Sequence, residues 1–237
     1  MKYSTKRNKH SFYLYQYLKI QSQLFIQGGI NSRWLIIWSY HVAKGMKHLS
    51  ENRVMHGDLA ARNILLSRID SDHIVAKIAD FGLSKRFYDN ITYTKKDRNC
   101  VPWKWMAPEF WEKSIFTLSS DVWSYGVVIW EIFSLGKEPY CGKSFGEVTE
   151  GYKEKKFLSY PEIDYAYIPN WNPKSVYEKI VRKCFCLDPS DRACFSEIIE
   201  VIKEQIKPYE LNNYKNMEKN YYISQLNIQT NKDFEAT

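Results

Sequence analysis

From Arg33 to Leu49 the apolar residues Leu35, Trp38, Val42, Met46 and Leu49 recur every three or four positions, which places them on one face of a predicted helix. Phe12 to Leu24 carries a weaker version of the same period, and Gly28-Gly29 marks a turn between the two stretches. The period then changes. Ile64-Leu65-Leu66 and Val75-Ala76-Lys77-Ile78 are short apolar runs on either side of a polar tip over 67–73, the pattern of a β-hairpin. Leu118 to Leu135 is apolar on every side apart from Asp121 and Glu131, ends near Gly136 and is followed by Pro139. Such a stretch predicts a helix buried all round, at the centre of the fold. Ser144 and Glu147 form a capping box that opens a helix to about Lys156. Asn172-Pro173 opens another, with Val176, Ile180, Val181 and Cys184 inward and a helical pattern that takes in Cys184-Phe185-Cys186. Phe195, Ile198, Ile199, Ile202 and Ile206 give the last amphipathic helix. After Lys207 the chain turns polar and rich in Asn, Gln, Lys and Tyr, so 1–207 is expected to be one domain and 208–237 a tail. No internal repeat is visible.

Composition narrows the function classes. The 237 residues are 44% hydrophobic and 16% aromatic, ample for a packed core. The net charge of +7 is spread along the chain, and the short Lys6-Arg7-Asn8-Lys9 cluster reads as a solvated end, so no nucleic-acid partner is expected. The five cysteines, at 100, 141, 184, 186 and 194, are odd in number and unevenly placed. They fit free thiols in a reducing compartment, and the Cys184/Cys186 pair lacks the second Cys/His pair that a zinc site needs. The longest apolar run, Val127 to Ile132, is interrupted by Glu131 and falls far short of a membrane span.

The chemistry is concentrated in three segments: His56-Gly57-Asp58-Leu59-Ala60-Ala61-Arg62-Asn63, then Asp80-Phe81-Gly82, then Ala107-Pro108-Glu109. Asp-Phe-Gly or Ala-Pro-Glu alone is a common turn tripeptide, and a lone His56 is more often a packed histidine than a reacting one. The ordered set is far more specific, with Lys104-Trp105-Met106 before the third segment, then Asp121-Val122-Trp123-Ser124-Tyr125-Gly126 and Asp188-Pro189-Ser190-Asp191-Arg192. Together these segments resemble the catalytic domain of the protein tyrosine kinases, receptor type above all, because Ala60-Ala61-Arg62 stands where serine/threonine kinases carry a lysine. The likeness runs from near residue 12 to residue 206. It implies a mainly α protein-kinase-like fold, the large C-terminal lobe, with short β-hairpins around the site.

The resemblance also implies roles. Asp58 would orient the tyrosine hydroxyl of a protein substrate and accept its proton, Arg62 would offset the charge of the transferred phosphate, and Leu65 would form the floor under the adenine of ATP. Asn63 and Asp80 would hold magnesium, a hard cation that prefers oxygen ligands. Pro102 would stack on the substrate ring. Glu109 and Arg192 would form a buried ion pair, and Asp121 would accept backbone amides of the catalytic loop. Tyr88 and Tyr93 would be phosphorylated in the segment after Asp80. Tyr214, in Tyr214-Lys215-Asn216-Met217, has the form read by phosphotyrosine-binding adaptors, with a solvated tail tyrosine as the bland alternative. The setting implied is the cytoplasm, or the cytoplasmic portion of a plasma-membrane receptor.

Two departures from the family pattern stand out. Gly57 replaces the arginine that usually precedes the aspartate and meets an activation-segment phosphate; an arginine at 57 is expected to restore that contact. No Gly-x-Gly-x-x-Gly exists, and Lys44 and Lys77 lie in the wrong elements to serve as the phosphate-gripping strand lysine. The chain is therefore expected to be an isolated large lobe. It would be either a piece of an active tyrosine kinase or a pseudokinase-like binding module without turnover.

Overall fold

The inward stripe read from the sequence forms helix α1, Ser32–Glu51, in which Leu35, Trp38 and Val42 are fully buried. The computed structural model describes residues 11–16, 18, 32–68, 74–87, 93–94, 102–161 and 173–206. Before α1, the described residues depart from the expected helix. Ser11–Tyr13 is a strand, β1, and residues 14–16 and 18 are helical. The strand exists because β3, Ile64–Arg68, offers an edge whose backbone groups need partners, and Phe12 lies opposite Leu66. Residues 19–24 and the Gly28-Gly29 turn lie outside the described residues.

The hairpin forms with longer arms than the apolar runs suggested. β3 pairs antiparallel with β4, Ile74–Ile78, in the register Ile64↔Ile78 to Arg68↔Ile74, giving a sheet ordered β1-β3-β4. Two small antiparallel pairs complete the strands. β2, Val54–Met55, joins β5, Lys85–Arg86; β6, Tyr93–Thr94, joins β7, Ile115–Phe116.

The remaining helices are α2 (Pro108–Lys113), α3 (Leu118–Phe133), α4 (Phe145–Lys153), α5 (Pro173–Cys184) and α6 (Phe195–Lys203). α3 is the buried centre. Thr117 and Ser120 cap its start reciprocally, and Leu135 (φ 55°) and Gly136 (φ 79°) turn the chain left-handed past its end. Trp123, fully buried, meets Tyr152, Phe157 and Phe185 at ring-centroid distances of 5.1, 5.7 and 5.0 Å. Gly126 permits this close approach, since a Cβ there would lie 2.7 Å from Phe185 Cε1 and 2.8 Å from Cys184 Cβ. Three helix ends differ from the sequence reading. α4 stops at Lys153 rather than Lys156 because Lys155 turns left-handed at φ 57°; α6 stops at Lys203. α5 stops at Cys184, which leaves Cys186 beyond the helix.

α1 packs on α3, α6 and β4. Two polar side chains inside this layer pair with backbone. Tyr125 Oη donates to Ser39 O at 2.9 Å, and His41 Nδ1 accepts the Ala76 amide at 3.0 Å. Burial first, then the Lys44 charge, pushes the His41 pKa down to about 3, which keeps the ring neutral and able to accept. A second, smaller core of Met55, Phe87, Met106, Phe110 and Phe116 lies among β2, α2 and β7. The long helices thus build a rigid base, and the short strands carry the loops.

Candidate active site

The loop of residues 56–63, the candidate catalytic loop, leaves β2 and returns through a one-turn 3-10 helix, Ala61–Asn63, into β3. A polar loop of this kind buries backbone amides that need acceptors, and α3 provides two carboxylates. Asp121 accepts the amides of His56 (2.7 Å) and Gly57 (3.0 Å). Glu131 accepts the Ala61 amide and the Trp105 indole, both at 2.9 Å. Burial pushes each carboxyl up to about 7, while these hydrogen bonds pull the other way.

His56 is a hub rather than a reacting group. Its Nε2 donates to Ala79 O (3.1 Å), so Nδ1 is left to accept the Asp58 amide (3.3 Å). Only the neutral ring can do both. Burial lowers its pKa, outweighing the Ala79 carbonyl and the Asp58 and Asp80 charges that raise it. The Ala79 amide in turn donates to Asn63 O at 2.8 Å, which ties the residue before Asp80 to the end of the loop.

Asp58 is held by two neighbours. Arg62 Nη2 donates to Oδ1 at 2.6 Å, and Asn63 Nδ2 donates to Oδ2 at 2.9 Å and to the Asp58 carbonyl at 2.7 Å. Arg62 also lies over the Trp105 ring, 4.5 Å from its centroid. Sequence spacing put Asp58, Arg62 and Asn63 in one loop; the structure adds that both carboxylate oxygens are fixed. Asp80 is exposed in a left-handed conformation, φ 62°, and its Oδ1 accepts the Gly82 amide at 3.2 Å. Phe81 stands half out of the fold beside the His56 ring, centroids 5.3 Å apart.

The donor set suits magnesium. Because the Asn63 amide nitrogen is spent on Asp58, its Oδ1 is the atom left for a cation, and Asp80 adds a carboxylate. Among the described residues no group of three or more His, Cys, Asp or Glu is placed to hold a metal ion.

The other sequence candidates fall as follows. Leu65, half-buried in β3, stands opposite Tyr13 and Lys77. Pro102, half-buried, opens the 3-10 turn Trp103–Trp105. Glu109 meets Arg192 in a two-pronged pair at 2.8 and 2.7 Å; Ser120 Oγ adds a 2.7 Å bond to Glu109, and the Arg192 guanidinium lies 5.2 Å from the Trp123 ring centroid. Tyr93 contributes backbone to β6, while Tyr88 and Tyr214 lie outside the described residues. Gly57 has φ 76°, and a Cβ there would sit 3.1 Å from Leu83 O. The arginine expected at 57 to restore the phosphate contact would therefore be strained, as would any side chain at that backbone.

Sequence reasoning missed Glu131 and Trp105 as builders of the site. A carboxylate interrupting an otherwise apolar helix was the available signal.

The family model for protein tyrosine and serine/threonine kinases matches residues 9–202. The chain is 41% identical over 177 residues to the mast/stem cell growth factor receptor kita of Danio rerio, covering 73% of this chain and 16% of that protein. It is 38% identical over 188 residues to vascular endothelial growth factor receptor 1 of Homo sapiens, covering 77% and 13%. It is also 38% identical over 177 residues to the mast/stem cell growth factor receptor Kit of Gallus gallus, covering 73% and 17%. The chain therefore spans less than a fifth of the length of these relatives.

Proposed function

Because the chain belongs to the protein tyrosine and serine/threonine kinase family and is similar to receptor tyrosine kinases, we propose that it carries the catalytic loop of a receptor-type tyrosine kinase. The reaction is transfer of the terminal phosphoryl group of ATP to a tyrosine hydroxyl of a protein substrate, on the cytoplasmic side of a plasma membrane. The observation that carries this reading is the Asp58 carboxylate, with one oxygen held by Arg62 and the other by Asn63.

Each oxygen so held keeps a lone pair, and the carboxylate has no freedom to rotate away. Asp58 can then align the phenolic O–H and take its proton as the phenolic oxygen bonds to phosphorus and the bond to the ADP oxygen breaks. Arg62 holds the carboxylate, and its charge would offset the negative charge that develops on the transferred phosphoryl. Magnesium, when bound, supplies neutralisation of the phosphate oxygens; Asn63 and Asp80 are the side chains that would hold it. Pro102 offers an apolar surface for the substrate ring. The retention of Asp58, Asn63 and Asp80 together does not favour a binding module without turnover.

The 237 residues contain no glycine-rich phosphate loop, so the test joins them to a tyrosine-kinase small lobe. The joined protein should phosphorylate a poly-Glu-Tyr substrate, and Asp58→Asn should lower the rate by about 10²–10⁴-fold. The 237-residue chain alone should transfer negligibly. Turnover that survives Asp58→Asn would refute the assignment.

A further inference from the structure

Where α3 meets the loop of residues 56–63, one carboxylate oxygen holds two groups at once: Glu131 Oε2 accepts the Ala61 amide and the Trp105 indole N–H, each at 2.9 Å. The Arg62 guanidinium lies over the Trp105 ring, 4.5 Å from its centroid, and donates to Asp58 at 2.6 Å. We propose that Trp105 is a positioning residue for phosphoryl transfer, which holds the Arg62 guanidinium in the orientation where it serves Asp58 and the transferred phosphoryl together. The proposal rests on the kinase reading for the reaction, while the clamp on Arg62 is a property of this chain and is tested separately.

Three observations carry it. First, Arg62 needs a second constraint. Its side chain is 38% exposed, and a single hydrogen bond through Nη2 leaves the guanidinium free to turn about that contact. A ring face beneath the guanidinium limits the rotation. Second, Trp105 is held more tightly than packing alone requires. Its amide donates to Pro102 O at 3.0 Å, its carbonyl accepts from Ser124 Oγ at 2.8 Å, and its indole donates to Glu131. Ser124 and Glu131 are two turns apart along one face of α3, so the backbone of Trp105 and the polar edge of its ring are pinned to the same rigid helix. An apolar ring in this place could slide; the indole N–H gives it a fixed angle. Third, Ala61, which precedes Arg62, hangs on the same Glu131 oxygen as the indole. The offset between ring and arginine is therefore set by one carboxylate rather than by the two loops that carry them.

Trp105 also packs against the main core, so a loss of stability on its removal says nothing of position. What separates the two roles is dependence on Arg62. A packing residue costs the same rate whether or not the guanidinium is present; a positioning residue costs little once the guanidinium is gone. The turn that carries Trp105 begins at Pro102, so the surface proposed for the substrate ring and the clamp on Arg62 belong to one piece of backbone.

The test completes a double-substitution cycle between Trp105→Leu and Arg62→Ala in the chain joined to a tyrosine-kinase small lobe, with poly-Glu-Tyr as substrate. Trp105→Leu should lower kcat about 10–100-fold with the KM for ATP unchanged, and by about twofold or less when Arg62→Ala is already present. Should Trp105→Leu not fold, Trp105→Phe, which loses the N–H to Glu131 and keeps a ring, carries the same cycle with a smaller loss. Equal losses in the parent and in the Arg62→Ala background would overturn the proposal. A second arm uses the 237-residue chain alone, with its arginines labelled with nitrogen-15, and identifies the Arg62 guanidinium proton signals by their loss in Arg62→Ala. The Trp105 ring current should hold these signals upfield of those of the other arginines, and Trp105→Leu should return them to the ordinary range. Signals that the substitution leaves in place would overturn the proposal as well. Turnover that survives Asp58→Asn would refute the kinase reading and with it the catalytic half of the proposal, whereas the Arg62 signals judge the clamp on their own.

Discussion

The Arg192–Glu109 pair and the Arg62–Asp58 pair join the same two groups in opposite surroundings. The first is sealed, with side-chain exposures of 0% and 8%; the second leaves 38% and 18% open to solvent. In the sealed pair every donor of the guanidinium has a partner: two Glu109 oxygens and the carbonyls of Cys186, Leu187 and Ser119. That is a frame contact, where a charge taken out of water must be matched completely. The open pair keeps a carboxylate in contact with solvent. Burial therefore separates the helical base, whose ions hold position, from the loop of residues 56–63, whose ions stay open to solvent.

The comparison breaks most severely at Glu109. Glu109→Ala leaves Arg192 buried without its anion and Ser120 without its acceptor, and should cost about 3–5 kcal/mol. The check is the urea midpoint at neutral pH, with the denaturant slope unchanged.

Glu131 probes how far the base imposes itself on the loop. Its folded pKa, about 7, lies above the ordinary carboxyl value of 4.5, so the folded state holds a proton that the unfolded state releases. The stabilising contribution is present below about pH 4.5 and is lost as pH rises towards 7, at about 1.4 kcal/mol per pH unit. Gln does not titrate. Hence the stability of Glu131→Gln relative to the parent should climb across that window, and a flat difference between pH 5 and 7 would show that Glu131 is already ionised in the fold.

The smallest expected stability effect is at Arg62. Arg62→Ala removes a half-exposed pair and a contact with Trp105, and the thermal midpoint should reflect about 1 kcal/mol or less. In the chain joined to a small lobe, the same change should lower kcat about 10²-fold with little change in KM. A large stability loss without a rate effect would make Arg62 a frame residue and erase the contrast with Arg192.

The base was more legible in the sequence than the loop. Long apolar periods are local signals, and α1 and α3 follow them because the core needs whole faces and long runs. Asp58, Arg62 and Asn63 were named from their spacing, but the hydrogen bonds among them needed the 3-10 turn at Ala61–Asn63, which no periodicity announces. β1 was read as the start of a helix because its partner, β3, lies more than fifty residues away in the chain. The left-handed backbone at Gly57, which no local pattern announces, accompanies the bond from its amide to Asp121. What eluded the sequence was consistently a tertiary constraint on a short segment.

The same separation fixes the order in which the molecule can acquire its parts. Asp121 reaches His56 and Gly57 across 65 and 64 residues, Glu131 reaches Ala61 across 70, and Arg192 reaches Glu109 across 83. Contacts of such span repay their loop-closure entropy only after the intervening chain has been gathered in. On this argument the loop of residues 56–63 is expected to take shape after α3 is in place beneath it rather than to act as a folding nucleus. Substitutions at Asp121 or Glu131 should therefore speed unfolding far more than they slow folding, and catalytic geometry becomes a late product of folding, denied to any partly folded chain.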